Sequence, residues 1–292
     1  MRIVSEGLTF TYNKKTKFAK KALDGVSLVI EEGEFFGIIG HTGSGKSTFI
    51  QHLNALIPVE EGTLKIGDRD LSASVKKSKK KKFYRELRSK VGMVFQYPEY
   101  QLFAETVYDD VAFGYKNFFP EAKKEDIDAA VYGALEMVGL SREQAGKSPF
   151  ELSGGQKRRA AIAGVIVTRP EILVLDEPVA GLDPKGKREL MALLHYLHGT
   201  ACKTVVIVSH DMDEVADNCT RIAVFSEGKA VMQGSPAEIF SKTEELVNLR
   251  LDVPVTAYLS ERLAEVGTKI ETDYSVADFT EKTIKAYGGK SL

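Results

Sequence analysis

The most informative segment of the chain is Gly40-His41-Thr42-Gly43-Ser44-Gly45-Lys46-Ser47. It fits the pattern G-x-x-x-x-G-K-S and lies between a predicted strand at 35–39 and a helical pattern that runs from Lys46 to about Ile57 and stops at Pro58. Glycines in such a loop let backbone N–H groups wrap phosphate oxygens at the positive end of a helix. The segment therefore predicts a nucleotide site inside an α/β fold.

Within this loop the residue types suit ATP and Mg²⁺. Lys46 is expected to reach the β- and γ-phosphates, and the Ser47 hydroxyl is expected to ligate Mg²⁺. The predicted nucleotide-binding residues of the segment are Gly40, His41, Thr42, Gly43, Ser44, Gly45, Lys46, Ser47 and Thr48.

A second motif is acidic: Asp176-Glu177 directly follows the apolar run 172–175. Open α/β sheets bind ligands at the carboxyl ends of their strands. We expect Asp176 to hold the metal, typically through water, and Glu177 to polarise the attacking water as general base. The alternative is a strand that simply ends in a polar turn.

The run Leu152-Ser153-Gly154-Gly155-Gln156 precedes a helical pattern. Ser153 and the N–H groups after it therefore form a second predicted anion site at a helix start, which includes Gly154, Gly155 and Gln156. Together with the phosphate loop and the acidic strand end, this signature resembles the ABC ATPase family. The resemblance implies that the signature of one subunit closes over ATP held by another, so the chain needs a partner ATPase.

The same resemblance assigns roles at the ends of two early strands. Tyr12 resembles the aromatic residue that stacks on adenine, although it could instead be a core-facing member of the row that contains Leu8 and Phe10. Gln96, after the predicted strand 91–95, resembles the glutamine that senses Mg²⁺ and water. Its alternative is a polar strand end.

Two later positions also match the family. Asp183 resembles the aspartate loop that crosses to the other subunit, and His210, after the predicted strand 204–208, resembles the switch histidine that contacts the γ-phosphate. Three residues depart from the expected pattern without removing a catalytic group, namely Lys157, Val179 and Ser209.

A narrower resemblance is carried by Gln96-Tyr-Pro-Glu99-Tyr-Gln101-Leu-Phe103 and the segments 105–107 and 110–114. It is similar to the ATPases of energy-coupling factor transporters and of their cobalt and nickel relatives. The loop 40–44, Gln51-His-Leu-Asn54 and Lys147-Ser-Pro-Phe150 resemble the second, A-prime type of the two unlike ATPases in those importers.

The resemblance implies an ATP-hydrolysing subunit that energises an importer of vitamins or other micronutrients. Its expected partners are an unlike ABC ATPase, a transmembrane scaffold subunit whose helices lie in a groove around 96–103, and a substrate-binding membrane subunit. A cobalt or nickel importer remains the nearest alternative. A non-transport ABC ATPase usually carries a long coiled-coil insertion or two ATPase domains, and the sequence shows neither. Glu177 and His210 argue against a subunit that only binds nucleotide.

Composition limits the setting in which the chain works. Its 292 residues carry 40 basic and 41 acidic side chains, so no global field favours nucleic acid. The two cysteines, Cys202 and Cys219, have no metal-type spacing. No apolar run approaches the roughly 20 residues that span a bilayer, and no signal-peptide pattern is present at the amino terminus. Together with the transporter resemblance, which implies membrane partners, these features lead us to expect a peripheral protein at the cytoplasmic face of the cell membrane.

Alternating strands and helices predict a mostly parallel sheet. The family resemblance implies a P-loop NTPase of the ABC ATPase type, with an antiparallel β subdomain and a helical subdomain at about 97–165. The nucleotide-binding domain is predicted to cover 1–245. Beyond it, 246–292 is predicted to be a small helical extension, whose start at Leu251-Asp-Val-Pro254 is similar to a dimer contact of the family. The six lysines within 76–82 predict either a solvated face or a phosphate or lipid contact.

Overall fold

The computed structural model describes residues 1–72 and 77–287, and of 77–80 only the backbone. The lysine run at 76–82 therefore lies largely outside the described side chains. The strands are β1 (Ile3–Tyr12), β2 (Lys20–Ile30), β3 (Phe35–Gly40), β4 (Glu61–Ile66), β5 (Arg69–Asp70), β6 (Val91–Val94), β7 (Ile172–Asp176), β8 (Thr204–Val208), β9 (Arg221–Ser226) and β10 (Lys229–Gly234).

The helices cluster in the middle of the chain and at its carboxyl end. Two short 3-10 turns, Pro98–Gln101 and Pro149–Glu151, accompany them. The α-helices are α1 (Lys46–Leu53), α2 (Lys77–Lys90), α3 (Val107–Phe118), α4 (Lys124–Met137), α5 (Arg142–Ala145), α6 (Gly154–Ile166), α7 (Pro184–Thr200), α8 (Met212–Asn218), α9 (Pro236–Phe240), α10 (Thr243–Asn248), α11 (Val255–Glu265) and α12 (Val276–Tyr287).

A six-stranded sheet in the order β10-β9-β3-β8-β7-β6 forms the centre of the molecule. All neighbouring pairs are parallel except β9 with β10. Strands β3 and β8 are buried along their whole length, as expected for parallel strands covered on both faces. Because parallel strands end at the same edge, the segments after β3, β6, β7 and β8 meet there.

A second, antiparallel sheet in the order β2-β1-β4-β5 packs against one face of the first. Its apolar side chains share a core with α1 and with the parallel strands, which places the end of β1 beside the phosphate loop. The other face is covered by helices that include α3, α4 and α6. The predicted fold, a mostly parallel sheet with an antiparallel β subdomain, a helical subdomain and a helical extension, is confirmed.

The predicted end of the first helix was wrong. Helix α1 ends at Leu53 and not at Ile57, because Asn54 leaves helical geometry and Ala55 has a left-handed φ of 54°. The turn at these two residues ends the helix before Pro58 can. In α7 the regular helix stops at Leu197, since the two residues after it, His198 and Gly199, depart from helical angles.

The carboxyl-terminal helices α11 and α12 are anchored on α8. The backbone N–H of Val255 donates to Asp213 at 2.8 Å, and that of Val276 donates to Asp217 at 2.7 Å. These acceptors lie four residues apart on α8, so one short helix holds the first turn of both. Over the described parts of the chain, none of the helices has the length and hydropathy needed to cross a bilayer.

Candidate nucleotide-binding site

The phosphate loop connects β3 to α1 through glycines that other residues could not replace. Gly40 has a φ of 154°, and a Cβ there would lie 2.3 Å from the Phe225 carbonyl oxygen. Gly45 has a φ of 107°, and its Cβ would lie 2.6 Å from the Ala22 carbonyl oxygen. The backbone thus passes close to two neighbouring strands and enters α1 with its first N–H groups available to an anion.

Lys46 lies inside this loop. Its Nζ donates to the carbonyl oxygens of Gly40 at 2.5 Å and His41 at 3.0 Å, and the side chain is buried. Burial lowers the pKa of Lys46, while the nearby carboxylates of Glu177 and Asp176 oppose that shift. The ammonium is therefore already placed where bound phosphates would meet it.

Two oxygen-bearing side chains face each other beside the loop. Ser47 Oγ donates to Asp176 Oδ1 at 3.3 Å. Burial, and to a smaller extent the charge of Glu177, raises the pKa of Asp176, whereas Ser47 and Lys46 act in the opposite direction. Ser44 Oγ is buried without a hydrogen-bond partner in the described part of the chain, which leaves a polar atom free inside the cradle.

These features fit ATP with Mg²⁺. The glycine cradle and Lys46 suit phosphate oxygens, and the Ser47 and Asp176 oxygens suit a hard cation. Residues 1–72 and 77–287 contain no cluster of three or more His, Cys, Asp or Glu that could hold a metal.

Glu177 follows β7 in a left-handed conformation, with a φ of 47°, which is uncommon for a residue other than glycine. Its N–H donates to the Val208 carbonyl oxygen at 2.9 Å. Its Oε2 accepts from Gln96 Nε2 at 3.0 Å and lies 3.4 Å from His210 Nδ1. Three residues predicted from separate motifs therefore meet at one carboxylate oxygen.

This carboxylate opens onto a cleft of about 350 Å³. Tyr97, Lys187 and Ser209 line the cleft beside Gln96, Glu177 and His210, of which the His210 side chain is 69% exposed. A base held by an amide and an imidazole, at the edge of a phosphate cradle, can orient and deprotonate water for attack on a phosphoryl group.

Tyr12 lies at the other end of the phosphate loop. Its hydroxyl is 3.2 Å from Thr48 Oγ1, and its ring packs edge-on against Phe10 with centroids 4.8 Å apart. The ring is exposed, whereas Leu8 of the same strand is fully buried, which favours adenine stacking over a core position. Lys20 pairs with Tyr12 in register, and both residues line a separate cleft beside the phosphate loop. Only strand pairing could show that Lys20 is this close.

The signature residues lie elsewhere. Ser153 caps α6 by accepting from the Gln156 N–H at 3.3 Å, while its own N–H donates to Gln156 Oε1 at 3.0 Å. A Cβ at Gly154 or Gly155 would meet no atom within 4 Å, so this helix start presents an open surface. Asp183 caps α7 by accepting from the Gly186 N–H at 2.7 Å. Among the described residues, these motifs form no hydrogen bond with the phosphate loop.

Sequence reasoning missed Arg158, which is only 4% exposed. Its guanidinium binds both carboxylate oxygens of Glu99, at 2.7 and 3.0 Å, and donates to the carbonyl oxygens of Pro178 at 2.9 Å and Ala180 at 3.0 Å. Arg158 thus ties the signature helix to the segments after Gln96 and Glu177. An arginine on the buried face of a predicted helix was the available signal.

Known proteins show the same family resemblance as the motifs do. The ABC transporter family model matches residues 23–180. The chain is 45% identical to the energy-coupling factor transporter ATP-binding protein EcfA2 of Clostridium tetani, over 100% of this chain and 99% of that protein. It is 48% identical to EcfA2 of Listeria innocua, over 87% of this chain and 86% of that protein.

Two solved structures share the fold. The cbiO1 protein of Clostridium perfringens, part of the ABC transporter complex cbiONQ, is 36% identical with a TM-score of 0.73, over 89% of this chain and 98% of that one. The ATP-binding cassette MJ0796, a dimer bound to ADP and phosphate, is 30% identical with a TM-score of 0.68, over 80% and 98%. The chain therefore belongs to the ABC transporter family, among the ATP-binding proteins of energy-coupling factor transporters.

Proposed function

We propose that this chain hydrolyses ATP to energise an energy-coupling factor importer for vitamins or other micronutrients. The meeting of Gln96 and His210 at the Glu177 carboxylate, next to the phosphate loop, is the observation that carries the proposal. A subunit that only bound nucleotide would have no need of a base held by two side chains.

We propose a step for each side chain. Loop N–H groups and Lys46 bind the phosphates, and Lys46 exchanges its loop carbonyl partners for phosphate oxygens. Glu177 accepts a proton from water as the water attacks the γ-phosphate, while Gln96 and His210 orient that carboxylate. Bound Mg²⁺ would neutralise phosphate charge, with Ser47, Asp176 and Gln96 as its proposed ligands.

We further propose that the site is completed by a second, unlike ABC ATPase. Ser153, Gly154, Gly155 and Gln156 present an open helix start away from this chain's own phosphate loop. They would close over the partner's ATP, and Asp183 would cross at the same interface. The dimeric state of the MJ0796 cassette supports this arrangement.

The groove beside the 3-10 turn Pro98–Gln101 is the proposed contact for a transmembrane scaffold subunit. It has a volume of about 180 Å³ and is lined by Leu102, Phe103 and Phe113, among others. The Phe103 ring, 63% exposed, packs edge-on against Phe113. An exposed aromatic surface of this kind suits a partner helix. Contact with a transmembrane scaffold would place the chain at the cytoplasmic face of the membrane. We propose no role for nucleic acid.

We assign 1–245 to the nucleotide-binding domain, with its helical subdomain at about 97–165, and 246–292 to an extension that contacts the partner. A substrate-binding membrane subunit would complete the complex. The resemblance of the segment 96–103 to the ATPases of cobalt and nickel importers makes such an importer the second candidate.

Affinity purification of the tagged chain from detergent-solubilised membranes tests this function. Mass spectrometry should identify an unlike ABC ATPase, a scaffold and a small membrane subunit, and the bound vitamin or metal would separate the two candidates. Phe103→Asp should lose the membrane subunits and keep the ATPase partner. The matched control is Phe18→Asp, at a phenylalanine 82% exposed on the loop between β1 and β2, and it should keep both. Recovery of the wild type without membrane subunits would contradict the proposal.

A further inference from the structure

The backbone on both sides of His210 is fixed by hydrogen bonds. The Ser209 N–H donates to the Ile38 carbonyl oxygen at 3.2 Å, at the end of the strand that carries the phosphate loop. On the other side, the Asp211 N–H donates to Ser209 Oγ at 3.1 Å. The Ser209 hydroxyl therefore closes a small loop around the histidine. A group that fixes the position of this hydroxyl also fixes the backbone of His210.

The group that holds it is Glu214, on α8. Glu214 Oε2 accepts from Ser209 Oγ at 3.0 Å, and the residue is only 9% exposed. Its second oxygen, Oε1, is buried and has no hydrogen-bond partner among the described residues. A buried carboxylate with an unpaired oxygen costs stability.

Helix α8 does not need this carboxylate in order to form. Its start is already capped by Asp211, which accepts from the Glu214 N–H at 3.2 Å and pairs with Lys187 at 2.7 Å. An apolar side chain at 214 would suit the surrounding core better. Departures of this kind from stable packing concentrate at functional sites.

Resting on the proposed roles of His210 and Glu177, we propose that Glu214 is a positioning residue, which acts through the Ser209 hydroxyl to keep His210 within reach of Glu177. The residue does not touch ATP. It fixes the loop 209–211 from the side away from the nucleotide site. The imidazole of His210 is then already oriented toward the Glu177 carboxylate.

The charges around Glu214 agree with this role. Burial raises its pKa to about 7, Asp211 adds to the shift, and the Ser209 hydroxyl and Lys187 oppose it. Cys219 is a further titratable neighbour of Glu214. Burial, and to a smaller extent the charge of Glu214, keeps the pKa of the Cys219 thiol well above the ordinary value. Glu214 thus titrates close to neutral pH, and the strength of its bond to Ser209 changes there.

A double-mutant cycle in the assembled transporter complex tests the proposal. Ser209→Ala and Glu214→Ala should each lower kcat about tenfold with little change in the KM for ATP, as expected for loss of one hydrogen bond to a charged group. Because both act through the same bond, the double variant should be no slower than either single variant. Glu214→Gln keeps an acceptor oxygen, so it should retain most of kcat while losing the inflection of the pH profile near neutrality.

Two controls separate the outcomes. Asp68→Ala removes an exposed carboxylate from the turn between β4 and β5, outside the nucleotide site and the extension, and it should leave kcat unchanged. His210→Ala should abolish turnover; if it does not, the proposed role of the histidine fails and this inference with it. If His210→Ala is inactive but the Ser209 and Glu214 effects add, or Glu214→Ala is fully active, only the positioning role is overturned.

Discussion

At the residue scale, side chains that sequence reasoning places in separate motifs depend on one another through direct contacts. Glu177 reaches Gln96 and His210 from a left-handed backbone position, a conformation that costs free energy unless neighbouring structure holds it. Arg158 binds the carbonyl oxygens of Pro178 and Ala180 just beyond it. The buried arginine thus supports the turn that carries Glu177.

Removing the partner of Arg158 should destabilise the fold. Glu99→Ala leaves a buried guanidinium without its carboxylate, and we expect a loss of about 3 kcal/mol in the free energy of unfolding. Glu281→Ala is the control, because its pair with Lys285 is exposed, and it should change little. Urea unfolding followed by circular dichroism measures both. Equal effects of the two variants would show that the Arg158 contacts do not support the fold.

Stability should also depend on pH through Glu214. Its pKa rises from 4.5 to about 7 on folding, so between these values the native state binds more protons than the unfolded state. Stability therefore falls as the pH rises through this window, by as much as about 3 kcal/mol once the group is fully ionised. Glu214→Gln removes this dependence. Relative to wild type, its free energy of unfolding should be larger at about pH 8 than at about pH 5.5, and an equal difference at both would refute the assignment.

At the element scale, α8 serves two regions. Its amino-terminal end carries Asp211 and Glu214 next to His210, whereas Asp213 and Asp217 hold the first turns of α11 and α12. A helix of seven residues therefore lies between the nucleotide site and the carboxyl-terminal extension.

Loss of the two outward carboxylates should loosen the extension. Each bond to a helix amino terminus is worth about 1 kcal/mol, so Asp213→Ala with Asp217→Ala should raise amide hydrogen exchange across 255–287 by about tenfold or more. The Asn versions keep an acceptor oxygen and should restore most of the protection. Unchanged exchange in the Ala variant would mean that other contacts hold α11 and α12.

Most of the fold was predictable because periodic apolar patterns and glycine loops are local signals. The phosphate loop, the strand before it and the acidic end of β7 follow from residues close in sequence. The end of α1 was not predictable, since the left-handed turn at Ala55 is not a strong preference of alanine. Lys20 and Arg158 were missed because strand register and buried polar contacts depend on residues distant in sequence.

At the scale of the whole molecule, the proposed function gives one chain two unlike half-sites. The phosphate loop with Asp176, Glu177 and His210 forms the first, and the open start of α6 forms the second. The two half-sites lie apart in the chain, so neither can complete the other. We therefore expect activity from a pair of subunits.

A bulky charge in the signature should therefore act on the other subunit. Ser153→Arg is expected to reduce vanadate-trapped nucleotide on the partner ATPase and to spare trapping on this chain. Ser141→Arg is the matched control, because Ser141 caps α5 with the same reciprocal bonds to Gln144 but lies outside the signature. Reduced trapping on this chain alone would contradict a shared site.

The central claim, that Glu177 is the base of an ATP-hydrolysing site, is tested most directly by Glu177→Gln in the purified complex. Glutamine keeps the shape of the side chain and removes its ability to accept a proton. We predict an unchanged dissociation constant for ATP and a fall in turnover at this chain's phosphate loop of about a hundredfold or more. Hydrolysis there at the wild-type rate would contradict the account.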